Sequence, residues 1–199
     1  MPGSTRVETL VGRDDSIKKI CEVLQHDGSR KTAVVHGLGG MGKTQLALAY
    51  ASRYGKKYSA VFWMNSKDVD TLKQSYATTA ERIYCDHPLL VNLKTAAEDS
   101  DLEKATGAVK IWLSNPQNDH WLIIYDNYDT PKLPGRDDAG TFDIRPFLPD
   151  ADHGAILITT RSSQLELGRR IPVKKLQNIE HSLEILSHAS GRVKLSSSR

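Results

Sequence analysis

Thr32-Ala-Val-Val-His-Gly-Leu-Gly-Gly-Met-Gly-Lys-Thr-Gln-Leu-Ala47 decides the fold. A short apolar run, Thr32 to His36, ends on a cluster of glycines and reads as a buried strand feeding a turn. From Lys43, the residues Leu46, Ala47, Ala49 and Tyr50 recur with helical spacing, and Gly55 stands where a helix C-cap is expected. Between strand and helix, Gly37, Gly42, Lys43 and Thr44 match G-x-x-x-x-G-K-[ST]. Glycines let the backbone wrap so that successive N–H groups point inward at an anion, and the helix N-terminus adds its positive dipole end. Lys43 supplies a mobile cation for β- and γ-phosphates, and Thr44 a hydroxyl for Mg2+. Gly39 and Gly40 add flexibility beyond the minimum pattern, whereas His36 reads as a structural strand-end residue.

Working outward, Asp14 and Asp15 are placed to cap a helix carrying Ile17, Ile20, Cys21 and Leu24 on one face. Residues 59–65 read as a second strand, and helical stretches follow around Val69–Ile83 and Leu102–Leu113. Trp121-Leu-Ile-Ile-Tyr125 is a strand buried on both faces, and Ala155-Ile-Leu-Ile-Thr159 is another. Residues 131–150, with four prolines, read as a long irregular connection, Ile171-Pro-Val173 as a short fifth strand, and Ile179, Leu183 and Leu186 as a last helix. Apolar runs alternating with helical patterns predict a P-loop NTPase three-layer α/β sandwich: a mainly parallel sheet of about five strands with helices on both faces.

A triphosphate-bound metal needs a second anchor, which P-loop proteins place at the end of another buried strand. Asp126 is the acid that ends such a run; the alternative is that it starts a turn. Asn127 follows, and an amide orients water but does not take its proton, which points to slow or absent turnover. Asp129 substitutes only if the loop bends back. Arg161, after Thr159 and Thr160, ends the next buried strand on the ligand-binding edge, within reach of a γ-phosphate. The alternative is a surface arginine paired with a local acid.

The 199 residues suffice for one medium-sized domain, and 39% apolar with 26% charged residues is ordinary globular usage. The net charge of +3 is spread over short separated pairs such as Lys56-Lys57 and Arg169-Arg170, so no direct nucleic-acid binding is expected. No apolar run approaches the roughly 20 residues that span a bilayer. The two cysteines, Cys21 and Cys85, and the absence of an apolar leader fit a reducing, cytoplasmic setting.

Taken in order, Val11-Gly-Arg-Asp14, residues 36–47, Val61-Phe-Trp63, Leu122-Ile-Ile-Tyr-Asp-Asn127 and Gly154-Ala-Ile-Leu-Ile-Thr-Thr-Arg161 resemble the nucleotide-binding domain of the NB-ARC family. These are the switch ATPases of NOD-like receptors and apoptotic ATPases, of the STAND type. The Asp126-Asn127 pair and Asp143-Ile-Arg-Pro-Phe-Leu-Pro149 look most like fungal members. The resemblance implies that Val11, Gly12 and Arg13 line the adenine, and that backbone from Gly40 through Met41, Gly42, Lys43 and Thr44 to Gln45 holds the phosphates. Arg161 becomes the γ-phosphate sensor. It also implies ATP/ADP with Mg2+ as cofactors, ADP stabilising a resting state, and self-association through this domain in the full-length receptor. Family members continue beyond a segment like Leu183–Arg192 into a helical domain and a winged helix, so an excised nucleotide-binding domain spanning 11–192 is expected, after a lead-in of 1–10 and before a polar tail of 193–199. A turnover ATPase and an interaction domain holding structural ADP stay open as alternatives.

Overall fold

The computed structural model describes residues 12–87, 101–135 and 138–174. Val11, the expected last helix and the domain limits at 10/11 and 192/193 lie outside them. The strands are β1 (Lys31–His36), β2 (Ala60–Asn65), β3 (Trp121–Asp126), β4 (Ala155–Thr160) and β5 (Arg169–Pro172). The α-helices are α1 (Asp14–Val23), α2 (Lys43–Tyr54), α3 (Val69–Asp86) and α4 (Leu102–Ser114).

The five strands form one sheet in the order β2-β3-β4-β1-β5, and every neighbouring pair runs parallel. All six residues of β3 and of β4 are buried, as continuous apolar runs require in the middle of a two-sided parallel sheet. Side chains alternate between two cores. Ala33, Val35, Leu122, Ile124 and Leu157 pack with α1 and α2, through Ile17, Ile20, Leu46 and Tyr50. Val34, Phe62, Met64, Ile123, Tyr125 and Ile158 pack with α3 and α4, through Leu72, Tyr76, Val109 and Leu113. The molecule is therefore a three-layer α/β sandwich with the architecture of the P-loop NTPase fold.

One local expectation is corrected. Asp14 and Asp15 do not cap α1: Arg13 occupies the N-cap and makes no side-chain cap bond. The acids sit in the first turn, where they complement the helix dipole, and the Asp14 carboxylate pairs with Arg53 of α2 at 2.9 Å. Gly55 is the C-cap of α2, as expected, but in the right-handed conformation (φ −56°), and the chain runs on into a 3-10 turn, Gly55–Lys57. The helix thus ends without the left-handed geometry for which glycine is favoured.

The segment after β3 is irregular, as expected, yet firmly anchored. Tyr128 is buried; its hydroxyl donates to Phe142 O (2.7 Å) and accepts from Ile144 N (3.2 Å). Phe147 O accepts from the hydroxyls of Tyr76 and Tyr125. The return to β4 turns at Gly154 (φ +82°), where an added Cβ would lie 2.4 Å from the ring of Trp121. That ring is fully buried and its Nε1 donates to Leu113 O at 2.9 Å, so it has no room to move. Combining left-handed strain with overpacking, Gly154→Ala is expected to destabilise the protein by about 2–3 kcal/mol, lowering the melting temperature by about 5–10 °C. Calorimetry showing an unchanged midpoint would mean that β3 and β4 are not packed here as described.

Candidate functional site

Because β4 lies between β1 and β3, the C-terminal ends of all three strands meet at one sheet edge. That edge, outside the carboxyl ends of parallel strands, is where ligands bind in open α/β sheets. β1 delivers the glycine loop, β3 delivers Asp126, and β4 delivers Thr159, Thr160 and Arg161.

The loop has the conformation of an anion cradle. Gly40 (φ +75°) and Gly42 (φ +80°) are left-handed, which turns the backbone back into α2. The first turn of α2 contains no acid, so its free N–H groups and positive dipole end face the loop uncompensated. Lys43 Nζ reaches back to donate to Gly37 O (2.9 Å) and Leu38 O (3.0 Å). Burial lowers its pKa, with Arg161 adding to the shift and Asp129 and Asp126 opposing it. The ammonium is therefore partly desolvated, with Asp129 and Asp126 close enough to stabilise its charge.

Asp126 is 3% exposed, and its Oδ1 accepts from Thr44 Oγ1 at 3.0 Å and from Thr159 Oγ1 at 2.5 Å. The hydroxyl and carboxylate assigned to a metal from the sequence are thus adjacent, although Thr44 and Asp126 are 82 residues apart. Hard oxygen donors of this kind fit Mg2+, which takes one or two protein ligands and keeps several waters. The Thr159 hydroxyl, for which the sequence suggests no role, also accepts from Asn127 N (3.0 Å) and so fixes the chain just after β3. Two buried threonines, Thr159 and Thr160, closing an otherwise apolar strand are the signal the sequence offers.

Asn127 is exposed and left-handed (φ +64°), a conformation that asparagine tolerates better than most residues. After it the loop does bend back. Tyr128 N donates to Thr159 O (3.0 Å) and Asp129 N to Asn127 O (2.8 Å). Asp129 then meets Arg161, with Oδ2 2.7 Å from Nε and Oδ1 accepting from the backbone N–H at 2.8 Å. The Arg161 guanidinium also lies over the loop, since its Cζ is 3.5 Å from where a Cβ on Gly39 would be. Arg161 is therefore both at the loop and paired with an acid.

Arg13 donates to Met41 O (2.9 Å) and Lys174 O (2.6 Å), tying the start of α1 to the loop and to the chain beyond β5. Desolvation lowers its pKa. Gly12 is exposed beside it. Clefts of about 710 Å3, beside Lys110 and Ile111, and about 690 Å3, beside Tyr50, Tyr58 and His120, lie near the opposite sheet edge, away from the glycine loop. Among the described residues no helix is long and apolar enough to cross a membrane, and Cys21 and Cys85 are free thiols.

No family model matches the chain. It is 24% identical over 164 residues to a nucleotide-binding leucine-rich repeat (NLR)-like protein of Hyaloscypha variabilis, a match covering 77% of this chain and 16% of that protein. It is 25% identical over 156 residues to a putative disease resistance protein of Arabidopsis thaliana, covering 77% and 13%. The chain is thus distantly related to NLR-like and disease resistance proteins, and it spans a small part of their length. Among solved structures, Cdc6p of Pyrobaculum aerophilum superposes with a TM-score of 0.61 at 12% identity, over 98% of this chain and 54% of that one. That likeness is one of fold.

Proposed function

We propose that this chain is the nucleotide-binding domain of an NB-ARC-type receptor, a switch module that binds ATP or ADP with Mg2+ and hydrolyses ATP slowly. The observation that carries this reading is the meeting of Lys43, Thr44, Asp126 and Arg161 at one sheet edge. In it, backbone from Gly37 to Gln45 and the Lys43 ammonium hold the phosphates, and Thr44 and Asp126 hold the metal. Arg161 senses the γ-phosphate, and Val11, Gly12 and Arg13 border the adenine. The domain spans residues 11–192, and in a full-length receptor it self-associates. The distant likeness to NLR-like and disease resistance proteins supports the receptor setting.

The test is to identify nucleotide retained on the purified protein and then to measure steady-state ATP hydrolysis. Retained ADP with negligible turnover is the expected result. Turnover near 1 s⁻¹ or above, roughly the low end of ordinary enzymes, would replace the switch with a true ATPase. One observation favours that second reading: Asp129 returns to the loop, where a carboxylate can serve the water that an amide at Asn127 serves poorly.

Asn127→Asp separates the two readings. The exchange is nearly isosteric, and aspartate also tolerates the left-handed backbone at this position. If the missing acid limits turnover, phosphate release rises at least about tenfold, the lower range of general-base contributions being roughly 100-fold. An unchanged rate places the limiting step elsewhere.

A further inference from the structure

We propose that the Asp129–Arg161 ion pair is a gate that ATP opens and ADP leaves closed, so that Asp129 sets how strongly the site distinguishes triphosphate from diphosphate. The gate rests on the adenine-nucleotide reading above.

Its position is built by the backbone. Asn127 N on the Thr159 hydroxyl, Tyr128 N on Thr159 O and the tight turn from Asp129 N to Asn127 O lay the chain after β3 along the end of β4. The buried Tyr128 ring, held through its hydroxyl between Phe142 and Ile144, pins this path to the core. Asp129 then grips Arg161 twice, once at Nε and once at the backbone N–H. The guanidinium so held rests over Gly39 of the phosphate loop. The Asp129 carboxylate thus sits at the mouth of the cradle, where a third phosphate would bring its own negative charge.

A guanidinium fork binds carboxylate and phosphate oxygens alike, so the two anions compete for one partner. The side chains of Arg161 and Asp129 are 65% and 26% exposed, and an ion pair this open is weak. A γ-phosphate, more highly charged than a carboxylate, therefore displaces Asp129, whereas a nucleotide ending at the β-phosphate stops short of Arg161. Only the triphosphate has differential contacts with the two arrangements, which is the requirement for a ligand to shift them. Release of Asp129 is felt by the anchored segment that follows β3.

The experiment is a double-mutant cycle on the 199-residue chain. A non-hydrolysable ATP analogue and ADP, each with Mg2+, are titrated by calorimetry into the unaltered protein, Asp129→Asn, Arg161→Gln and the double variant. Asparagine keeps an acceptor for the Arg161 N–H, and Asp129→Ser, which also keeps one, repeats the measurement with a different side chain. Asp129→Asn is expected to tighten the ATP analogue by about three- to fivefold, in line with the worth of an exposed pair, and to leave ADP within about twofold. In the Arg161→Gln background the same change is expected to do nothing. Equal tightening in that background overturns the gate, because Asp129 then acts by plain repulsion. Binding of both nucleotides with a ratio unmoved by Asp129→Asn overturns the gate alone. Binding of neither by the unaltered chain overturns the nucleotide reading and the gate with it.

Discussion

Lys43→Ala is expected to weaken both Mg·ATP and Mg·ADP by on the order of 100-fold, while the protein keeps its fold. Nζ now bridges Gly37 O and Leu38 O at the mouth of the loop. Both carbonyls lie near the surface, so water takes over and the stability cost stays below about 1 kcal/mol. The binding cost is larger, because a hydrogen bond to a charged group in a partly desolvated site is worth roughly 1.5–3 kcal/mol and the β- and γ-phosphates each use the ammonium. Burial lowers the pKa of Lys43 although Asp129 and Asp126 act to raise it, and a phosphate would add to their stabilising charge. The left-handed glycines and the uncapped N-terminus of α2 persist in the variant, which is why weak residual binding is expected rather than none. Calorimetric titration with both nucleotides, beside a melting curve, checks this. Affinity unchanged in a folded variant would sink the phosphate-loop assignment.

The parts legible in the sequence were those that local pattern dictates. A strand buried on both faces has to be apolar throughout, and β3 and β4 are. A loop that cradles phosphate needs glycine at left-handed positions, and Gly40 and Gly42 supply them. Helix ends were less legible, because a cap depends on the backbone angles of one residue rather than on its identity. Asp14 pairs with Arg53 instead of capping α1, and Gly55, although it is the C-cap of α2, keeps right-handed angles and runs on into a 3-10 turn. Strand order was not legible at all, since crossover connections leave no trace in residue spacing. That order puts β4 beside both β1 and β3, and the contacts across the strand ends depend on it. Thr159 bridges Asp126 and Asn127, and Asp129 meets Arg161, only because β3 and β4 are neighbours. Arg13 reaches a carbonyl 161 residues away, which no window on the sequence contains. The anchored loop after β3 did carry a signal: Tyr128, Phe142 and Phe147 are large aromatics in a proline-rich stretch, and such residues rarely go unpacked.

The second large effect concerns Asp126, where stability and function are expected to part company. An ionised carboxylate this buried costs several kcal/mol unless it is paired and fully hydrogen-bonded. Here the bonds come from two neutral hydroxyls, Thr44 and Thr159, both on Oδ1. Asp126→Asn keeps an oxygen acceptor for those hydroxyls and removes the buried charge, so the melting temperature without ligand should stay level or rise by a few degrees. Metal-dependent binding should move the other way. Mg2+ demands hard, preferably anionic oxygen donors in near-octahedral geometry, and a neutral amide is a poor replacement. The gain in ATP affinity on adding Mg2+ is therefore expected to fall by about 10- to 100-fold, equivalent to roughly 1.4–2.8 kcal/mol. ADP should lose less, because a diphosphate would offer a metal held by Thr44 and Asp126 fewer phosphate oxygens. Titrations with Mg2+ and with EDTA, run beside thermal melts, read both quantities on one preparation. A variant that keeps the full Mg2+ enhancement would remove Asp126 from the metal site. A variant that loses ten degrees or more of melting temperature would recast the carboxylate as a structural link between β3, β4 and the start of α2. Opposite signs in the two readouts are what a charge retained for its ligand, at a cost to the fold, has to produce.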